Sequence, residues 1–154
     1  MTPIDVSGRV TGIADGLAAL DGGRGVDAIL VSDLTNIGWL TGFSGSNGWV
    51  IVKPDELVLV TDGRYGAQAE RQLDTSGAGS GLPTRIEVGS SGAQMLALVG
   101  AALADVGRLA FESAHIREGW LPKVSPKWSI PRNCGITCST AVCCGSSAFS
   151  TTWT

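Results

Sequence analysis

The chain has 154 residues and a mass of 15.8 kDa, with 11 Lys and Arg against 14 Asp and Glu and a net charge of −3. That length supports one domain with room for a tail, and the charge gives no electrostatic reason to expect binding to nucleic acid or an anionic membrane. Its longest aliphatic or aromatic runs are about four residues where a membrane span needs about 20, and the opening MTPIDVSGRV lacks a basic stretch followed by an apolar one. Neither a membrane segment nor a signal peptide is therefore expected, and a cytoplasmic location follows as the expectation.

The elements alternate along the first 118 residues. Val10, Ile13, Leu17 and Leu20 recur at helical spacing, which predicts a helix from about Ser7 to Leu20, ended by Gly22, Gly23 and Gly25. Val26 to Ser32 is a short branched apolar run and reads as a buried strand. A short helical turn capped by Asp33 follows, then a glycine-punctuated loop, Gly42 to Gly48. Trp49–Val52 and Leu57–Val60 read as two strands of a hairpin joined by Lys-Pro-Asp-Glu. Asp62 is placed as the N-cap of a helix whose apolar face carries Tyr65, Ala69 and Leu73. Thr75 to Pro83 reads as a flexible loop and Thr84 to Val88 as a strand. Ser91 and Gln94 have capping-box spacing before Met95, Val99, Ala102, Leu103 and Val106, which form one helical stripe. Gly107 is read as its stop and Arg108 to Glu112 as a last strand. The order implies an α/β fold, a mixed sheet of five or six strands flanked by helices: crossovers through helices make parallel pairs and the hairpin an antiparallel one.

Composition changes near residue 118. All 14 acids lie at or before Glu118, and the 36 residues that follow contain none. Those residues hold all four cysteines and three basic residues, Lys123, Lys127 and Arg132. The chain therefore divides into a domain over 1–118 and an irregular tail over 119–154. Cys134, Cys138, Cys143 and Cys144 lack the paired spacing that lets two thiolates clasp one zinc. Pro122, Pro126 and Pro131 interrupt any helical period. One reading of such a tail is a shifted reading frame, and trimming by protease to about residue 118 is its expected consequence.

No complete catalytic constellation is legible. Gly42-Phe43-Ser44-Gly45-Ser46 lacks the last glycine of a nucleophile elbow, and the one histidine, His115, makes a hydrolase built on Ser44 or Ser46 a weak option. The glycines at 42, 45 and 48 do not fit a dinucleotide fingerprint, and no P-loop occurs. Aspartates stand singly at helix starts and turns, where capping accounts for them, so no catalytic or metal-ligating residue is assigned.

Two segments are more specific. Ser32-Asp-Leu-Thr-Asn-Ile-Gly-Trp-Leu-Thr-Gly-Phe-Ser-Gly-Ser-Asn-Gly48, and then Val58-Leu-Val-Thr-Asp-Gly-Arg-Tyr-Gly-Ala-Gln-Ala69, together resemble the N-terminal domain of Xaa-Pro aminopeptidases, the creatinase/prolidase N-terminal domain. The resemblance covers about residues 7 to 116. It implies that peptidase chemistry belongs to a separate C-terminal domain with a two-metal site, loaded with a divalent ion such as manganese, and that this chain carries no cofactor and is inactive alone. It also implies a role in oligomerisation and active-site access, with a second copy or the catalytic domain as partner. The loop from 36 to 48 is the candidate surface. Asn36, Trp39, Phe43 and Arg64 are its candidate contact residues, with a hydrophobic plug under the loop as the equal alternative for Asn36, Trp39 and Phe43. Arg64 is expected to pair with Asp62 or Asp33, and Tyr65 to pack in the core. A free-standing interaction module of the same fold is the alternative reading of the whole chain.

Overall fold

The computed structural model describes residues 4–20, 23–112 and, as backbone, 141–144. In chain order the elements are α1 (Arg9–Gly16), continued by a 3-10 turn over Leu17–Ala19, β1 (Ala28–Val31), α2 (Leu34–Thr41), β2 (Gly48–Val52) and β3 (Leu57–Asp62). These are followed by α3 (Gly66–Ser76), β4 (Thr84–Gly89), α4 (Gly92–Ala102), β5 (Arg108–Phe111) and β6 (Ala141–Cys144). The sheet order is β4-β3-β2-β1-β5-β6.

Direction follows connection. The tight Lys-Pro-Asp-Glu turn makes β2 and β3 antiparallel, with Val50 opposite Leu59. The crossover through α3 makes β3 and β4 parallel, Leu59 beside Ile86. β1 pairs antiparallel with β2 and parallel with β5, so α4 carries the chain from one edge of the sheet across to the far side of β1. The mixed α/β sheet expected from the alternation is thus observed. β6 lies antiparallel against β5, Leu109 opposite Cys143. These four residues fall in the segment that the sequence reads as irregular, and the rest of that segment lies outside the described residues.

Both faces of the sheet are covered. Strand side chains alternate faces, so Val58, Val60 and Ile51 point toward α4 and meet Met95, Val99 and Leu103. Leu57, Leu59, Val50 and Val52 point the other way, toward α1, α2 and α3, and meet Val10, Ile37, Leu40, Ala69 and Leu73. Residues 57–61 of β3 are buried throughout, as a central strand covered on both sides must be.

Several local readings change. Asp62 ends β3 and does not cap α3, whose N-cap position is Tyr65 and carries no side-chain cap. The turn after β3 takes three residues, and the Asp62 carboxylate is drawn to Arg64 within that turn. Thr75 and Ser76 belong to α3, which ends at Gly77 in the left-handed region (φ 71°). α4 stops at Ala102, well before Gly107. Ser91 Oγ does accept from the Gln94 backbone N–H, but Gln94 returns its own bond to Ser90 instead of Ser91. Asp33 caps α2 as expected, accepting from the Thr35 and Asn36 backbone N–H groups.

Candidate functional site

The corner formed by α2, the loop to β2 and the turn after β3 holds Phe43 and Arg64, with Asn36 and Trp39 beside it on α2. Gly42 ends α2 at φ 74°, and a Cβ there would stand 2.7 Å from the Ser76 Cβ. The chain then turns inward and buries Phe43, which is 1% exposed. The Phe43 ring meets Tyr65 edge-on, centroids 6.1 Å apart. A Cβ at Gly45 would run into the ring, and one at Gly48 would lie 3.1 Å from it. The glycines of this loop therefore make room for an aromatic side chain. Their nearest neighbours are side chains, the Phe43 ring and Ser76, where the sequence suggests close approach to a neighbouring backbone.

Polar side chains tie the loop to its neighbours. The Ser44 backbone N–H donates to Gln72 Oε1 (3.0 Å), and Gln68 and Gln72 each donate an amide N–H to Ser44 Oγ at 3.1 and 2.7 Å. Ser46 Oγ and the Tyr65 hydroxyl share a hydrogen bond of 2.7 Å. That bond, more than the nearby Arg64 charge, draws the Tyr65 phenol below its ordinary range. Tyr65 thus packs with the core cluster through its ring while its hydroxyl holds the loop.

Arg64 chooses Asp62. Its guanidinium forks onto both carboxylate oxygens at 3.0 and 2.8 Å, and its backbone N–H adds a third bond. Asn47 Nδ2 donates to the same carboxylate at 3.0 Å. The Arg64 hydrogen bonds, followed by that from Asn47, hold the Asp62 carboxyl far below the usual carboxylate range. Arg64 also lies over the Tyr65 ring, 5.0 Å from its centroid. Asn47, Asp62, Arg64, Ser90 and Met95 line a shallow depression on this side.

Asn36 and Trp39 lie on α2. Asn36 is exposed, and its amide donates to Glu112 Oε1. Glu112 follows β5, and its other carboxylate oxygen accepts the backbone N–H groups of Ser32 (2.7 Å) and Asp33 (2.8 Å). A residue 76 positions away therefore locks the start of α2 to the end of β5. Trp39 is 57% exposed, the largest apolar side chain left open among the described residues. Arg9 reaches across from α1, stacks 4.7 Å over the indole and donates to the Trp39 carbonyl.

The corner brings Phe43 and Arg64 together through Tyr65, and leaves Asn36 and Trp39 on a neighbouring surface. Phe43 is the plug under the loop. Sequence reasoning missed Glu112, Arg9, Gln68 and Gln72 as organisers. Only the helical spacing of Gln68 and Gln72 hinted at a shared target, because the other partners are distant in sequence. Chemically, Asp62 and Glu112 are acceptors saturated by nearby donors, and the corner presents a rigid surface with an open indole. Among the described residues no three His, Cys, Asp or Glu side chains converge to hold a metal ion. His115 lies outside the described residues.

Comparison with known proteins sharpens this geometry. The profile of the creatinase/prolidase N-terminal domain family matches residues 16–129. An uncharacterized peptidase of Bacillus subtilis (strain 168), YqhT, is 39% identical over 57 residues, which are 37% of this chain and 16% of that protein. The Xaa-Pro aminopeptidase app-1 of Caenorhabditis elegans is 55% identical over 38 residues, 25% of this chain and 6% of that one. The matched stretches are thus small parts of those relatives. In three dimensions the N-terminal domain of the cytoplasmic peptidase PepQ from Mycobacterium tuberculosis H37Rv aligns with a TM-score of 0.59 at 36% identity, covering 78% of this chain and 84% of that one.

Proposed function

The chain belongs to the creatinase/prolidase N-terminal domain family, and from that premise we propose that it is the non-catalytic N-terminal module of a proline-specific metallo-aminopeptidase that works in the cytoplasm. Its task is to support oligomerisation and to shape access to an active site carried by a separate catalytic domain. The observation that carries this reading is the corner around Phe43. A loop pinned by a buried ring, three glycines and a Ser44–Gln68–Gln72 network is stiff, and it sits beside the open Trp39. Loops held by a rigid scaffold are where contact surfaces are built.

A divalent metal is implied for such peptidases, and the described residues do not fit one. The reaction is therefore assigned to the catalytic domain, and no chemical step is assigned here. No helix among the described residues is long and apolar enough to cross a membrane.

The test is reconstitution. The 154-residue protein is expected to release no first residue from an Xaa-Pro peptide with manganese, cobalt or zinc present. Joining residues 1–116 to a family catalytic domain is expected to restore hydrolysis. Metal-dependent turnover by the chain alone, surviving repurification and lost on His115→Ala, would overturn the assignment.

A further inference from the structure

The edge of the sheet formed by β4 is the counterpart of the pinned corner. Among the described residues β4 pairs with β3 alone. The Leu57 backbone N–H donates to the Pro83 carbonyl. Alternate residues of a strand turn their backbone groups to opposite sides, so Arg85 and Glu87 face β3 while Thr84, Ile86 and Val88 turn their N–H and C=O groups outward. Such an edge is a template for another strand. Three features select which one. Arg85 and Glu87 carry opposite charges two residues apart and pair with each other, Arg85 also with Glu56, so an ion-pair network that a second strand can extend lies along the edge. Val88 is 45% exposed. Thr84 and Ile86 line a depression floored by Leu73 and Leu82 on the α3 side.

We propose that β4 is a self-pairing edge: two copies of this chain join antiparallel about a two-fold axis at Ile86, continuing the sheet from one protomer into the next. In that register Ile86 meets its own copy in a doubly hydrogen-bonded pair, because its N–H and C=O both face outward. Arg85 stands opposite Glu87 of the second copy, twice by symmetry. Val88 stands opposite Thr84, so each exposed valine is laid at the mouth of the other copy's depression. A shift by two residues in one direction sets Arg85 against Arg85, and in the other Glu87 against Glu87, so charge chooses the register. Glu70 and Asp74 of α3 also rim the depression and oppose their own copies across the axis. That repulsion keeps the association in the range of a weak, reversible pair. The inference rests on the self-association reading above and gives it a surface distinct from the Trp39 corner.

The test is a charge swap on the full chain, read by sedimentation equilibrium with circular dichroism to check folding. Arg85→Glu alone places two acids on each facing strand, and Glu87→Arg alone places two bases. Each variant is expected to dimerise at least about tenfold more weakly than the unaltered protein. An equimolar mixture is expected to recover affinity to within about threefold, because acids then face bases. Recovery in the mixture also shows that both variants fold. If the unaltered chain stays monomeric at millimolar concentration, self-association itself fails. If it dimerises and both variants dimerise equally well, self-association stands and the β4 edge is overturned. If neither variant associates and the mixture does not recover, the register is overturned.

Discussion

Two regions of one surface show opposite treatments of the same problem, the chain that leaves regular structure. At the corner after α2, polar groups meet partners within the fold: Ser44 between two glutamines, Ser46 on Tyr65, Asn47 on Asp62, and Asn36 on Glu112. At β4 the side-chain charges are paired, Arg85 with Glu56 and Glu87, while the outward backbone of Thr84, Ile86 and Val88 faces no neighbouring strand among the described residues. A saturated corner is rigid but gives little affinity on its own, and it offers one open indole. An unsaturated edge offers a ladder of identical bonds, and only side-chain complementarity gives it a preferred partner. The difference teaches that stiffness and adhesiveness have been placed in separate parts of this domain.

Substitutions can break that comparison at known depths. Phe43→Ala removes a fully buried ring and is expected to cost about 3–5 kcal/mol in denaturant unfolding, because the glycines around it cannot fill the space. A cost below 1 kcal/mol would show that the corner is not pinned from beneath. Gly45→Ala, whose new carbon would meet the same ring, is expected to cost about 1–3 kcal/mol by overpacking. Glu112→Ala strands two backbone N–H groups and the Asn36 amide, and a loss of about 1–3 kcal/mol is expected, read by thermal unfolding.

Smaller effects sharpen it. Asp62 is held below its ordinary value of 3.8 by Arg64. A depressed folded pKa contributes stability that is complete above the unfolded value and is lost as acid titrates down through the folded one. Stability should therefore show no contribution from Asp62 to any change between pH 7 and pH 5, about one unit above the unfolded value. It should fall below about pH 4, and Asp62→Asn should flatten that fall. An unchanged acid limb in the variant would remove the Arg64 pair from the account. Trp39→Ala should be the mildest, with a stability change within about 1 kcal/mol since the indole is 57% exposed. Its effect should appear instead in activity after joining to a catalytic domain. A large stability loss with unaltered activity would make Trp39 a packing residue.

Much of this was legible from residue order. The stripes Val10–Leu20 and Met95–Val106 predicted two helices; Val10, Leu17, Met95, Val99, Ala102, Leu103 and Val106 are buried and Ile13 and Leu20 half-buried, while the α-helices themselves end earlier, at Gly16 and Ala102. Lys-Pro-Asp-Glu announced the hairpin because proline and acids cannot continue a strand there. Asp33 was a cap by its position alone. Asp62 misled the same argument: a charged fork two residues on outcompetes an N–H group farther along the turn. The tie between Glu112 and Asn36 had no local signature, because β5 comes beside β1 only after α4 has crossed the sheet.

Sequence by itself determined the order of elements, their apolar faces and the glycine-rich loop, since periodicity and turn chemistry act within a few residues. The tertiary structure decided which aromatic of that loop region is buried and which is open. Phe43 and Trp39 are four residues apart and equally apolar in the sequence, yet Gly42 turns the chain inward between them. It also decided that β4 ends the sheet among the described residues, because edge or centre depends on where a distant strand chooses to pair. Local propensity carries no information about that choice.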